Sequence, residues 1–352
     1  MKVCFFIGSY TVKEEKLLKK ILKSQNVEVI ECREDIHSIF SFITANVKMF
    51  FQHFKLDYDV MIIPWWGIFT FPLAKIICKK PIIYWSNLSI YHTIVDDRKL
   101  NPNSLKAKLI HFAEKYACKH STIIITESRA QIDHLVNEYN LDKRKFRVSI
   151  NGVDETIFSP LILKPDEKIL NVLFFGSFVP AHGVETIIET AKILSDNDEI
   201  VFDFCGDGPT KKSSELMAEG YKLKNVKFLG FIEQQTLPSI ITKSDICLGI
   251  FGTSKKAANV VANKILQILA SKKPLITMSS EAMKEIKLED GKNCVLIPPG
   301  DPKKLSEAIL FLKNNPEKRK QIAENGYQLY KENLSMEITG KNFLKIIEEV
   351  KI

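Results

Sequence analysis

Short apolar runs alternate with helical patterns along almost the whole chain. Continuous apolar strands separated by helices are typical of a parallel sheet that is buried on both faces. The order therefore predicts an α/β fold from the start of the chain. In the first part, the runs expected to form strands are residues 3–7, 27–30, 60–63, 81–85 and 122–125.

The pattern breaks at residues 151–165, where Asn151-Gly152 and two prolines indicate turns and a linker. A second series of strands and helices follows. At 352 residues the chain is too long for one ordinary domain. We therefore expect two Rossmann-like, doubly wound domains, over residues 1–160 and 161–352. The strands expected in the second are residues 169–175, 200–205, 226–228, 246–250, 274–277 and 294–297.

Composition and charge narrow the class of protein. Hydrophobic residues make up 45% and charged residues 26%, as in soluble globular proteins. The net charge is +8, and basic residues outnumber acidic ones by six before residue 161 but only by two after it. This bias favours an anionic partner. The seven cysteines lack zinc or redox spacing, and residues 3–7 are too short for a signal peptide, so we expect buried thiols in a cytoplasmic protein.

Ligands of doubly wound sheets bind beyond the carboxyl ends of the strands, so the loops there are the candidate sites. Gly206-Asp207-Gly208 follows one expected strand, and its glycines allow close approach to a ligand or simply form a tight turn. No G-x-G-x-x-G opens a helix here, which disfavours an NAD-dependent enzyme.

A second loop begins at Gly176, after the first strand of the second domain. Its backbone N–H groups, the Ser177 hydroxyl and the His182 imidazole are suited to a phosphate; alternatively, His182 only packs within the loop.

One helix is expected over residues 257–270, preceded by Lys255. Asn259 and Gln267 would lie on one stripe of it, and Lys264 would border that stripe. The stripe either faces a ligand or is a solvated face.

The first domain offers a polar loop after residues 81–85, with His92, Asp96 and Arg98. It faces a donor sugar or an acceptor, or it is a solvated loop with local ion pairs. Aromatic residues interleaved with lysines at 40–55 and 105–119 indicate either a surface for anionic lipid or two ordinary amphipathic helices. No nucleic-acid-binding motif is present, so nucleic acid is not an expected partner.

From Asn151 to about Phe343 the sequence resembles the group 1, family 4 glycosyltransferases of the GT-B fold. Residues 151–160 are similar to the family's interdomain N-G-V-D-x-x-x-F-x-P motif. Gly206-Asp207-Gly208-Pro209 is similar to its G-D-G-P turn, and residues 263–277 resemble its nucleotide helix and following strand.

The resemblance implies two domains facing across a cleft, with the acceptor on the first, a sugar nucleotide on the second and a terminal helix that crosses back. It implies retaining transfer to a sugar, glycan or lipid-linked acceptor in surface polysaccharide or glycolipid synthesis. It implies no cofactor and no metal, and a location at the inner face of the plasma membrane is compatible with it. The expected catalytic residues are His92, Asp96 and His182, and the expected acceptor residues are Trp66, Trp85 and Arg98. The expected donor residues are Gly176, Ser177, Gly206, Asp207, Gly208, Leu229, Phe231, Lys255, Ala258, Asn259, Val260, Lys264 and Gln267.

The sequence departs from the family at two places. Asn259 and Gln267 stand where the family has two glutamates, and Ser177 and His182 stand where it has arginine and lysine. Amides still hydrogen-bond a ribose but make no charge-assisted bond. The alternative is therefore a catalytically degenerate GT-B protein with a binding or regulatory role.

Overall fold

The computed structural model describes residues 1–8, 13–161 and 169–351. It forms two compact units, one of residues 1–152 with 336–352 and one of residues 153–335. The boundary therefore follows Gly152, whereas the sequence pattern placed it at residue 160. The segment after Gly152 joins the second unit because Phe158 is buried and the Tyr330 hydroxyl donates to Glu155 at 3.0 Å.

The first unit contains a parallel sheet of six strands in the order β2-β1-β3-β4-β5-β6. Its strands are β1 Lys2–Ile7, β2 Glu28–Arg33, β3 Val60–Pro64, β4 Ile82–Trp85, β5 Ile123–Thr126 and β6 Phe146–Val148. Its helices are α1 Lys13–Ser24, α2 Ile39–His53, α3 Phe71–Ile77, α4 Ile90–His92, α5 Leu105–His120 and α6 Arg129–Tyr139. A 3-10 helix at Trp65–Phe69 precedes α3.

The second unit repeats this architecture, with strand order β12-β11-β10-β7-β8-β9. Its strands are β7 Leu170–Phe175, β8 Ile200–Cys205, β9 Val226–Gly230, β10 Ile246–Leu248, β11 Leu275–Met278 and β12 Val295–Ile297. Its helices are α7 Val184–Ile193, α8 Lys211–Gly220, α9 Leu237–Lys243, α10 Lys255–Asn259, α11 Asn263–Ala270, α12 Glu281–Glu285, α13 Pro302–Asn314 and α14 Pro316–Asn333. The last helix, α15 Met336–Lys351, is part of the first unit.

Each sheet is covered on both faces, as the continuous apolar strands predict. In the first unit, Phe6, Met61 and Tyr84 pack on the side of α2, α3 and α5, and Phe5 and Ile62 on the side of α1 and α15. The expected pair of Rossmann-like domains is confirmed. All seven cysteines are buried and unbridged. Within the described residues no helix has the length and apolar character that crossing a bilayer requires.

Candidate functional site

Three glycines meet at the carboxyl edge of the second sheet. Gly176 follows β7, Gly206 follows β8, and Gly230 ends β9. The Gly206 N–H donates to the Gly230 carbonyl at 2.7 Å, and a Cβ on Gly206 would lie 1.9 Å from the Gly176 oxygen. Gly206 also has a φ of +138°, which side chains disfavour. The loops that follow β7, β8 and β9 are therefore in direct backbone contact at this edge, with no side chain between them at these glycines.

The G-D-G-P turn holds the loop that follows β7. The Phe178 N–H donates to the Asp207 carbonyl at 2.9 Å, and the Thr210 N–H donates to the Phe178 carbonyl at 3.0 Å. A Cβ on Gly208 would lie only 2.6 Å from that Phe178 oxygen. The sequence-predicted residues Gly176, Ser177 and 206–208 are thus brought together by direct backbone contacts.

Lys264, in the first turn of α11, is a buried charged side chain of this edge, whereas Asp207 in the turn is exposed. It is only 5% exposed, and its ammonium lies 3.8 Å from the centre of the Phe174 ring and 3.3 Å from His182 Nδ1. No carboxylate pairs with it among the residues that the structure describes. Burial therefore holds the pKa of Lys264 well below its usual range. A buried cation without a counter-charge is unfavourable, and an anionic ligand would relieve that cost.

His182 has its ring fixed by the loop backbone. Its Nδ1 contacts the Ser177 carbonyl, which is only an acceptor, so Nδ1 carries the proton and Nε2 keeps the lone pair. Burial, the Lys264 ammonium and Lys256 hold the pKa of His182 well below its usual range. His182 is therefore neutral at physiological pH.

The prediction of one helix over residues 257–270 is wrong. α10 ends at Asn259, Val260 is extended with φ −107° and ψ 145°, and α11 begins at Asn263. The β-branched pair Val260-Val261 weakens the helix at this point. Asn259 and Gln267 consequently lie on different helices and form no common stripe. Ala258, Asn259, Val260 and Gln267 are half-buried, and Lys255 is exposed.

The end of β9 offers apolar surface beside the glycines. Leu229 and Phe231 are exposed, whereas the ring of Phe228 stacks on Phe204 at 5.1 Å between centroids. The end of β9 thus exposes two apolar side chains next to a strand whose Phe228 is anchored in the core.

In the first unit, His92 Nδ1 lies 3.1 Å from Asp96 Oδ2. The opposite nitrogen, Nε2, is buried and has no hydrogen-bond partner within the described residues. Arg98 is exposed. The structure thus brings His92 and Asp96 together as a hydrogen-bonded pair.

The two tryptophans predicted to bind an acceptor differ in environment. Trp66 is half-buried and lies 4.8 Å from Trp65 between ring centroids. Trp85 is buried, packs edge-on to Phe343 at 6.3 Å, and borders a small cavity together with Asn151. Trp85 is therefore a core residue of the first unit and offers almost no surface to an acceptor.

Sequence reasoning missed Phe174 and Glu127. Phe174 reads as an ordinary strand residue, yet its ring supports the Lys264 ammonium. Glu127 is buried beside β5 and accepts a hydrogen bond from Asn151. Burial and the neighbouring Glu14 raise the pKa of Glu127 to about 8. An acid directly after an apolar strand is the signal that would have singled it out.

Comparison with known proteins identifies the family of the chain. The family model of the group 1 glycosyl transferases matches residues 154–329. An uncharacterized glycosyltransferase of Methanocaldococcus jannaschii is 30% identical over 269 residues, which cover 75% of this chain and 70% of that protein. The chain belongs to the group 1 glycosyltransferases.

One further relative and one solved structure are similar to the chain. The alpha-D-kanosaminyltransferase of Streptomyces kanamyceticus is 25% identical over 181 residues, or 51% of this chain and 45% of that enzyme. The crystal structure of Anabaena HepE in complex with UDP and glucose superposes with a TM-score of 0.77 at 16% identity, covering 99% of this glycosyltransferase and 100% of HepE. The expected GT-B fold class is therefore confirmed.

Proposed function

We propose that this glycosyltransferase moves a sugar from a nucleotide-diphosphate donor to a hydroxyl group of its acceptor, with retention of the anomeric configuration. The observation that carries the proposal is the buried Lys264 ammonium beside the bare backbone of Gly176, without a carboxylate partner among the described residues. The diphosphate of such a donor supplies the missing anion. HepE, whose structure contains UDP and glucose, supports the same class of donor.

The diphosphate is placed between Lys264, the backbone at Gly176 and Ser177, and the segment 258–260. The Lys264 ammonium lies 3.1 Å from the Cβ position of Gly176, so it fills the space over that glycine and can contact a phosphate bound beside it. Lys255 adds a second, exposed cation. These groups replace the arginine and lysine that the family usually has on the β7 loop.

The nucleoside is placed at the ends of β9 and α11. Leu229 and Phe231 lie against the base, and the half-buried Gln267 amide accepts and donates hydrogen bonds to the ribose. Gly206 and Gly208 let the backbones of the β7 and β8 loops touch each other, and in this proposal the pyrophosphate and sugar lie against that joined backbone.

The main electrostatic task is to stabilise the charge that develops on the leaving phosphate. Lys264 performs it in a site of low dielectric, where a cation acts more strongly than in water. Neutral His182 offers a lone pair at Nε2, so it is suited to accept a hydrogen bond from a sugar hydroxyl. In this proposal the departing phosphate takes the acceptor proton, and neither a protein nucleophile nor a cofactor is required.

The acceptor is placed on the first unit, near His92, Asp96, Trp66 and Arg98. Asp96 orients the His92 ring through Nδ1, which directs the lone pair or proton of Nε2 toward a hydroxyl. We propose a sugar, glycan or lipid-linked acceptor, used in the synthesis of a surface polysaccharide or glycolipid.

The experiment is a turnover assay on purified protein. UDP-, GDP- and ADP-sugars are offered, UDP-glucose first, with sugar and lipid-phosphate acceptors, and nucleoside diphosphate release is measured. The anomeric proton of the first product formed reports the configuration by NMR. Lys264→Met tests the site, and Lys243→Met, at an exposed lysine of α9, is the matched control.

Retention gives a product with the anomeric configuration of the donor, and Lys264→Met is expected to lower turnover about 100-fold while Lys243→Met leaves it unchanged. An inverted product would contradict the retaining mechanism alone. Nucleoside diphosphate binding without turnover across the whole panel would favour the catalytically degenerate alternative, which the amides at Asn259 and Gln267 motivate.

A further inference from the structure

The first unit exposes a row of large apolar side chains along α2. Phe40 is 77%, Phe51 63% and Phe54 64% exposed, and Ile43 and Val47 lie between them. The ring of Phe50 contacts Phe51 and Phe54 edge-on, with centroids 5.4 Å and 5.0 Å apart. α2 therefore buries one side in the core and presents an ordered aromatic cluster on the other.

The two helices beside α2 extend this surface. Ile76 of α3 is 80% and Phe112 of α5 67% exposed. Met49 of α2, Phe71 of α3 and Ile110 of α5 all enter the same core cluster on one side of the first sheet. The outward sides of the three helices thus face the same direction. We call this surface the α2–α3–α5 face; its exposed apolar residues are Phe40, Ile43, Val47, Phe50, Phe51, Phe54, Phe69, Ile76, Leu105, Leu109 and Phe112.

The charge of the α2–α3–α5 face has one sign. Across residues 39–53, 65–80 and 105–120 the only acid is Glu114. Glu114 is fully buried and accepts hydrogen bonds from Ser89, Tyr139 and the backbone at Ile90, so it is turned inward. The lysines of these segments, all exposed, are Lys48, Lys75, Lys79, Lys80, Lys106, Lys108, Lys115 and Lys119.

Most of these lysines are also uncompensated. Lys48 pairs with Glu34 at 3.3 Å, and none of the other seven forms an ion pair within the described residues. The acids next to the face lie outside the three segments: Glu34 pairs with Lys48, and Glu138 of α6 lies 3.0 Å from His111 of α5. Exposed aromatic and aliphatic side chains surrounded by lysines match the headgroup region of a bilayer, where the apolar groups enter the acyl boundary and the long lysine stems reach the phosphates.

We infer that the α2–α3–α5 face binds the surface of a membrane that contains anionic lipids. A second copy of the chain fits this face poorly, because a two-fold interface would place the same lysines against each other. The contact is with the surface and not a crossing, in accord with the absence of a spanning helix from the described residues. The inference goes beyond sugar transfer and does not depend on it.

The test is sedimentation with vesicles, using the full-length protein. Vesicles of equal parts phosphatidylglycerol and phosphatidylcholine are compared with phosphatidylcholine alone, at low and high salt. Phe51→Glu and Phe112→Glu test the face. Leu216→Glu is the matched control, because Leu216 is 58% exposed on α8 of the second unit. Both test positions are exposed, so the variants should fold, and circular dichroism checks this.

We expect binding to the anionic vesicles only, weakened by salt as screening shortens from about 10 Å to about 3 Å. Each Phe→Glu substitution should weaken binding about tenfold or more, and Leu216→Glu should match the wild type. Lys106→Glu should weaken it about fivefold or more. No binding at low salt, equal binding to both vesicle types, or equal losses with Leu216→Glu would overturn the inference. A dimer in solution that Phe51→Glu dissociates would instead show that a second copy covers the face.

Discussion

The ammonium of Lys264 lies 3.3 Å from Nδ1 of His182 in the buried edge of the second sheet. Because Nδ1 carries a proton toward the Ser177 carbonyl, the contact places two donors side by side. Burial lowers the pKa of both side chains, and the charge of Lys264 lowers the pKa of His182 further. No acceptor or negative charge of the described residues compensates the Lys264 ammonium, so the pair is suited to an anionic ligand.

Lys264→Met should affect stability and binding in opposite directions. Removing a buried, unpaired cation is expected to raise the free energy of unfolding by about 1 kcal/mol. It should also weaken UDP binding about tenfold or more, because the charge-assisted contact is lost. Urea unfolding and calorimetry measure the two effects. A variant that loses stability and binds as tightly as the wild type would contradict the assigned role.

The stability gain of Lys264→Met should depend on pH. The folded-state pKa of Lys264 lies below its unfolded value of 10.5, so wild-type stability rises with pH through the interval between the two. The variant lacks this titration, and its advantage is therefore expected to shrink as the pH is raised toward that value. An advantage that grows with pH would exclude a depressed lysine pKa.

Nucleotide binding should take up protons. A diphosphate beside Lys264 favours the charged lysine and raises its pKa again. At about pH 8, where phosphates are already ionised, UDP titrations in two buffers of different ionisation enthalpy should give different apparent enthalpies. Lys264→Met should abolish the difference, and Lys243→Met should keep it. Identical enthalpies for the wild type in both buffers would count against the proposed contact.

Gly206→Ala should disrupt the donor edge. Its Cβ would lie 1.9 Å from the Gly176 oxygen, and its φ of +138° is strained for alanine. We expect a loss of about 2–4 kcal/mol in unfolding free energy, or a displaced loop without UDP affinity. Gly220→Ala, in α8 with no atom within 4 Å of the new Cβ, is the control and should be neutral or slightly stabilising. Thermal unfolding that ranks the two variants equally would refute this.

Glu127→Gln should stabilise the first unit at neutral and alkaline pH. The folded-state pKa of Glu127 is about 8, against 4.5 for the free side chain. The folded state thus holds a proton that the unfolded state has lost, and wild-type stability falls as pH rises between these values. The variant still accepts from Asn151 and should gain about 4 kcal/mol near pH 8 but almost nothing near pH 4. Thermal midpoints across this range, with exposed Glu348→Gln as the control, measure the gain.

The positions of most strands in both units could be predicted because buried parallel strands are continuous apolar runs; residues 200–205 coincide with β8. The break in the helix at Val260 could not be predicted, because the apolar residues on either side of it keep a helical spacing. The burial of Lys264 was also out of reach. A lysine beside a polar stripe is typically solvated, and its burial here depends on a distant glycine, Gly176, that leaves space for it.

The apolar pattern of the sequence does not single out β6 or α6. β6 is three residues long and is an edge strand of the sheet, so it needs no continuous apolar run.

The sequence predicts the loops that follow β7 and β8 as two separate candidate sites. Only the tertiary contact between Gly176 and Gly206 shows that they form one surface.

The most direct test of the account is a crystal structure with a bound sugar nucleotide, beginning with UDP-glucose. The account predicts density for the diphosphate within hydrogen-bond distance of the Lys264 ammonium and over Gly176 and Gly206, with the base against Leu229 and Phe231. Two results would contradict the account: a nucleotide bound elsewhere, or a sugar nucleotide bound at full occupancy with its diphosphate beyond hydrogen-bond distance of Lys264.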